Sequence, residues 1–316
     1  MDRRDLVDPE SRVPLEGLLQ VMPGGFNAIP DIVQRRATVA GMFAMLEAPA
    51  NPNVTDEDRT VPGPDGAPDI SVRIYRPVTS SGPLPGIYYI HGGGMVLGDV
   101  AGEDANARRL AEEVEAVVVS VEYRLAPEHP HPAPVEDCYA GLVWTAANAA
   151  GLGIDPERLA LYGGSAGGGL VLGCALLARD RSGPSLTFMM PIYPMIDDRN
   201  ETPSSREITD VGIWDRAGNI EAWAWYLGGQ EPDQYAAPAR AQDLSALPPA
   251  FIDVGTVDLF RDEDIAFAQR LMQAGVPTEL HINPGSYHAS ETFAPEAALS
   301  QRIWAMRVDA LRRALG

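Results

Sequence analysis

Lysine is missing from this chain altogether, and all 24 of its basic residues are arginine. Without an amine side chain there is no Schiff-base or pyridoxal-lysine chemistry and no P-loop lysine. Cysteine is nearly missing as well. The two present, Cys138 and Cys174, form neither a CxxC pair nor part of a ligand set, so both are expected as small buried hydrophobes and no metal site is expected. Long apolar runs are also lacking: nothing approaches ~18 consecutive apolar residues, and the opening MDRRDLVDPE holds no apolar core. The expectation is a soluble, cytoplasmic protein with no membrane partner. Basic charge is in short supply, 24 residues against 44 acidic ones for a net of -20, which would repel nucleic-acid phosphates and anionic lipid. The acidic residues are dispersed, as on a solvated surface, and no nucleic-acid partner is expected.

What is present points to one large sheet-centred unit with an embedded accessory part, because 316 residues can bury a sizeable core. Apolar residues at Ile32, Val39, Phe43 and Leu46 predict a helix over 31–46 with Asp31 as its cap. Residues 60–76 read as strand, Pro64-Asp65-Gly66 turn, strand, with Ile70, Val72 and Ile74 alternating against polar neighbours. The texture then changes to short continuous apolar strands, at 86–90, 116–121, 158–162, 186–193, 250–255 and 278–282, separated by helical patterns. Such alternation is the signature of parallel strands buried on both faces. Helices are expected at 103–115, 134–149, 262–274 and 296–314. The stretch 195–245 breaks the rhythm, and with Trp214, Trp223, Trp225 and Tyr226 it reads as an insertion forming a lid.

The strongest chemical signal is Gly163-Gly164-Ser165-Ala166-Gly167-Gly168, directly after the apolar strand Leu159-Ala160-Leu161-Tyr162 and before Leu170-Val171-Leu172. G-x-S-x-G at a strand-to-helix junction forces the serine into a strained turn, so residues two before and two after must lack bulk. Ser165 is thereby presented as a nucleophile at a helix N-terminus, whose amides face any oxyanion formed there. A second signal, His91-Gly92-Gly93-Gly94, follows strand 86–90, and its glycines would let the amides of Gly92 and Gly93 join that of Ala166 in an oxyanion hole. Serine needs a base. His129 and His131 sit in a Pro-rich loop, His281 falls within a strand, and His91 belongs to the glycine loop it would brace, which leaves His288. The acid that orients the base should lie between them in the chain: Asp258, just beyond strand 250–255, is the choice and Asp262 the fallback.

These motifs, with Tyr123-Arg124-Leu125-Ala126-Pro127-Glu128 and Asp258-Leu259-Phe260-Arg261-Asp262, resemble the hormone-sensitive-lipase-like esterases, the bacterial family IV carboxylesterases, over most of the chain. The resemblance implies an α/β-hydrolase fold: a mostly parallel eight-stranded sheet flanked by helices, under a helical cap. Residues 1–50 and 195–245 would form that cap, and 51–194 and 246–316 the core. Pairing of two copies through the edge strand nearest the C-terminus is implied too. Two positions depart from the family pattern. Gly164 stands where the family usually carries Asp, and Tyr287-His288-Ala289 where it has His followed by Gly-Phe.

Chemistry and resemblance together give the expected activity: hydrolysis of short- to medium-chain carboxylic esters through an acyl-enzyme, with no metal or organic cofactor. Trp214, Trp223 and Trp225 are candidates to line the substrate pocket, or equally to form the insertion's own small core. A non-catalytic ligand-binding member of the fold is the rival from another class. An amidase or lactonase would use the same three side chains.

Overall fold

The computed structural model describes residues 3–45, 51–78, 82–211 and 213–316. Its strands are β1 (Val54–Val61), β2 (Ile70–Pro77), β3 (Leu84–Ile90), β4 (Val117–Glu122), β5 (Ile154–Gly164), β6 (Phe188–Ile192), β7 (Ala250–Val257) and β8 (Thr278–Tyr287). They join in one eight-stranded sheet in the order β1-β2-β4-β3-β5-β6-β7-β8. Only β2 runs against the other described strands, antiparallel to both of its neighbours. The helices are α1 (Pro9–Val21), α2 (Ile32–Met45), α3 (Asp104–Val114), α4 (Ala133–Ala147), α5 (Ala166–Asp180), α6 (Pro203–Glu207), α7 (Arg216–Leu227), α8 (Arg261–Gln273), α9 (Ser290–Phe293) and α10 (Ala298–Leu315). This is the α/β-hydrolase architecture expected from the motifs.

The continuous apolar strands are explained by helices on both sides. In β3, Tyr88 and Ile90 belong to one hydrophobic core, while Ile87 and Tyr89 belong to the second core on the opposite face. Alternate side chains therefore both need to be apolar, and the polar alternation of a half-exposed strand disappears. The stripe Ala107, Leu110, Ala111 and Val114 of α3 is buried as its spacing requires. Cys138 and Cys174 are free and fully buried, as small hydrophobes should be.

Two boundaries differ from the expected ones for identifiable reasons. β1 begins at Val54 rather than Thr60, and its residues 55–60 are all exposed, so there was no alternation to read. Register with β2 defines it instead, including Asp58 opposite Arg73, whose guanidinium Nε donates to Asp58 at 2.6 Å. β8 was expected to stop at 282, yet it continues to Tyr287 through Pro284-Gly285, with a register shift against β7 between Gly255 and Val257. A proline is tolerated there because β8 is the last described strand of the sheet and no described strand pairs with its outer side. His288 thus follows directly on a strand end and is not carried on a long loop.

The expected arm and insertion meet over one end of the sheet, although residues 46–50 of the arm lie outside the described ones. Asn27 Nδ2 donates to Asp215 Oδ1 at 3.1 Å, and Arg35 Nη1 pairs with Glu221 Oε2 at 2.6 Å. Asp31 caps α2 by accepting the Gln34 N–H at 2.8 Å.

On the far face α10 is fastened to the sheet by a buried ion pair, Arg307 to Asp253, with Nε and Nη2 at 2.8 and 3.1 Å from the two carboxylate oxygens. Burial pushes the Asp253 carboxyl up from its ordinary range, against the Arg307 charge that draws it down. Removing one partner of such a pair strands a charge in the interior. Arg307→Met should therefore cost about 3–5 kcal/mol of stability, and Asp253→Asn added to it should restore part of the loss. Urea unfolding of the two variants checks this.

Candidate active site

Ser165 sits between β5 and α5 with φ 57° and ψ -122°, a conformation that non-glycine residues rarely hold. The strain is locked by two backbone hydrogen bonds, Ser165 N–H to the Ile192 carbonyl and Met195 N–H to the Ser165 carbonyl, both 2.9 Å. It also depends on Gly167, where a Cβ would be driven into the carbonyl oxygen of Ile90. The turn thus exposes the serine side chain at the carboxyl edge of the sheet.

His288, following β8, accepts the Ser165 hydroxyl on Nε2 at 2.9 Å. Its Nδ1–H donates to Asp258 Oδ2, also at 2.9 Å. Asp258 is fully buried, and its other oxygen accepts the Phe260 N–H at 2.9 Å, so the carboxylate is fixed in orientation. The carboxylate selects the imidazole tautomer that leaves Nε2 free to take the serine proton. Tyr193 and Phe260 meet the imidazole edge-on, with centroids 4.9 and 5.1 Å away. Neither was singled out from sequence. The available signal was that Tyr193 directly follows an apolar strand and Phe260 lies three residues beyond another, at the edge where a site is built.

The other histidines are occupied elsewhere. His129 is exposed, His131 lies by Asp233 and Tyr226, and His281 by Glu279. The fallback Asp262 accepts the Ser204 N–H at 2.7 Å and does not reach His288. His91 is stacked on Tyr123 at 4.1 Å, and the Tyr123 hydroxyl donates to the His91 carbonyl at 2.9 Å, which braces the glycine loop. That loop packs on the elbow: a Cβ on Gly92 would lie 3.0 Å from the Gly164 carbonyl oxygen and 3.6 Å from Ser165 Cβ. The amides of Gly92, Gly93 and Ala166 have no acceptor among the described residues. The three donors are thus open beside the hydroxyl.

Over the serine lies a cleft, partly open to solvent. Phe26, Val39 and Phe43 of the N-terminal arm and Ile213 and Trp214 of the insertion line it with Leu97. Of the three candidate tryptophans only Trp214 borders the cleft. Trp223 is buried against Tyr226 at 5.9 Å, within the insertion, and Trp225 lies under the Arg35 guanidinium, where it packs the insertion on the arm.

Sheet, elbow and Ser-His-Asp chain define an α/β hydrolase. A family model for the alpha/beta hydrolase fold matches residues 87–292. Carboxylesterase NlhH of Mycobacterium tuberculosis is 39% identical over 315 residues, 97% of each chain. The arylesterase of Saccharolobus solfataricus is 37% identical over 226 residues, 70% of this chain and 72% of its own. Among solved structures, the bacterial heroin esterase superposes with a TM-score of 0.94 at 39% identity and covers 99% of both chains. The chain belongs to the α/β hydrolase fold family, in its hormone-sensitive-lipase-like branch of carboxylic-ester hydrolases.

The buried His91 has a consequence for stability. Burial pulls its pKa down to about 4, against an ordinary 6.5. The unfolded chain therefore binds this proton below pH 6.5, the folded one only near pH 4. Stability is full above the higher value and falls as pH drops between the two, by up to roughly 3 kcal/mol. His91→Phe, which keeps an aromatic ring against Tyr123, should lose that portion of the acid sensitivity. Urea titrations near pH 7 and pH 4 on both proteins measure the difference.

Proposed function

We propose that the chain is a serine carboxylesterase in which Ser165 is the nucleophile, His288 the general base and acid, and Asp258 the residue that orients and stabilises the imidazolium. The observation that carries this reading is the single imidazole hydrogen-bonded at 2.9 Å to both the hydroxyl and the carboxylate. Ser165 Oγ attacks the ester carbonyl as Nε2 takes its proton. The oxyanion is held by the amides of Gly92, Gly93 and Ala166. Collapse expels the alcohol, which takes the proton from Nε2 and leaves an acyl-enzyme. Water, deprotonated by the same imidazole, then releases the acid. Every proton moved is accounted for by His288, so the residues present suffice for the chemistry.

The N-terminal arm and residues 195–245 act in this reading as a cap, and the apolar wall of Phe26, Val39, Phe43, Leu97, Ile213 and Trp214 receives the acyl chain. A cleft closed in by arm and insertion side chains favours short to medium acyl groups, hence small, diffusible cytoplasmic esters. Pairing of two copies through β8, where Ile282 is exposed, is the assembly that goes with the family.

Ser165→Ala and His288→Ala should each lower kcat/KM for p-nitrophenyl butyrate by about a thousandfold or more, with unfolding curves unchanged. Rates should decline from butyrate and hexanoate towards palmitate. Equal turnover by wild type and Ser165→Ala would leave a ligand-binding role in place of the enzyme. An amide or lactone hydrolysed faster than any ester in the series would redirect the substrate class.

A further inference from the structure

The cleft continues past the serine to the other face of the sheet, into a part that acyl binding and proton transfer do not use. Tyr89, Tyr162 and Trp304, which line it, belong to the second hydrophobic core, whereas Leu97 and Trp214 belong to the first. The passage runs beside Gly164. That glycine has no left-handed backbone angle to maintain, so the turn itself does not demand it. What it provides is room: a Cβ there would lie 3.2 Å from Tyr193 Cε2 and 3.4 Å from its hydroxyl oxygen, and any longer side chain would enter the passage.

This inner lobe is polar and carries excess negative charge. Glu103 Oε2 accepts the Tyr89 hydroxyl at 2.7 Å and Asn106 Nδ2 at 3.0 Å, while its Oε1 has no donor among the described residues. Glu291 Oε1 accepts the Tyr193 hydroxyl and Arg307 Nη1, both at 2.6 Å. Arg307 is already forked onto Asp253. Two carboxylates thus share one guanidinium, and Glu103 pairs with no cation among the described residues. Arg109, over the Trp304 ring, is tied to Glu113. Independently, Tyr162 is 4% exposed, borders the lobe, and its hydroxyl has no hydrogen-bond partner among the described residues. A phenol whose hydroxyl opens on the lobe without a protein partner, stacked on Tyr89 at 5.0 Å and near a carboxylate with one oxygen unengaged, offers a donor and an acceptor to whatever enters. Burial pushes the Glu103 carboxyl up, and a cation beside it would bring it back down.

The lobe also has a defined place in the reaction. His288 must hand its proton to the departing alkoxide, so the alcohol arm starts at the imidazole, where Tyr193 and Glu291 begin the lobe.

We propose that this lobe is a subsite for an ester whose alcohol carries a protonated amine, its N–H shared between Glu103 and Tyr162 among the tyrosine rings. The assignment rests on the reading of Ser165 as nucleophile. Its test compares dimethylaminoethyl butyrate, protonated at neutral pH, with its carbon isostere isoamyl butyrate. The two share an acyl group and shape, so the kcat/KM ratio isolates the charge. Wild type should favour the amine by about tenfold or more, and Glu103→Gln should remove most of that preference, with a smaller loss for Tyr162→Phe. A wild-type ratio of one, or a ratio unchanged in Glu103→Gln, would overturn the subsite. Calorimetry with the free alcohols, dimethylaminoethanol against isoamyl alcohol, decides the same question without turnover: only the amine should bind wild type, and a failure to bind overturns the proposal even where a variant does not fold. If neither ester is hydrolysed, the nucleophile reading falls, and the calorimetry still judges the lobe separately.

Discussion

The hydrogen bond between Ser165 and His288 joins residues 123 positions apart in the chain, across three inter-strand spacings of the sheet, from β5 to β8. At about 4.8 Å per spacing, those strand ends stand roughly 14 Å apart. Two local features shorten the gap. The elbow throws Ser165 out of line with its strand, and β8 runs on to Tyr287 before the chain turns at Ala289, which has φ 57°. Tyr193, at the end of the intervening β6, fills the space between and presses its ring edge-on against the imidazole. The site is thus a property of the whole carboxyl edge of the sheet. Shifting β8 by one residue against β7 would turn His288 to the other face.

Holding that edge rigid requires buried charge, and the chain meets the requirement with arginine alone. Arg307 grips Asp253 on β7 with one side of its fork and Glu291 on α9 with the other. Arg124 forks onto the fully buried Asp137, and Arg240 onto Asp198 in the insertion. A planar guanidinium satisfies two carboxylate oxygens in one fixed geometry, which a single ammonium cannot. The absence of lysine and the abundance of forked pairs are consistent with each other, and the remaining acidic residues keep the surface strongly negative.

Much of this was legible in the sequence because the constraints are local. The elbow needs glycine at 163 and 167 around Ser165, the oxyanion loop needs glycine at 92, and both follow strands whose doubly buried faces leave unbroken apolar runs. Elimination found His288 because the other four histidines sit in segments whose patterns already account for them. What escaped was set by partners distant in sequence. β1 is defined by register on β2 and not by its own exposed residues, and the end of β8 by a bulge against β7. Trp223 and Trp225 are indistinguishable from Trp214 by composition. Only the packing of the insertion on the glycine loop, which sets the Trp214 ring against Gly94, decides that it faces the cleft.

Gly164 shows how an elbow can depart from a pattern without losing its geometry. Within the elbow, residues 163 and 167 are dictated by close backbone approach, whereas 164 has a backbone any residue could adopt. Its side chain is therefore free to vary with what the pocket must hold. Tyr193 occupies the adjoining space at φ 31°, an angle unusual for an aromatic residue, and its hydroxyl ties to Glu291 and so to Arg307. One small residue beside Ser165 thus borders a passage from that serine to a charged interior on the far side of the sheet. In the proposed reading the catalytic residues define the reaction, and this passage shapes which alcohols can reach it.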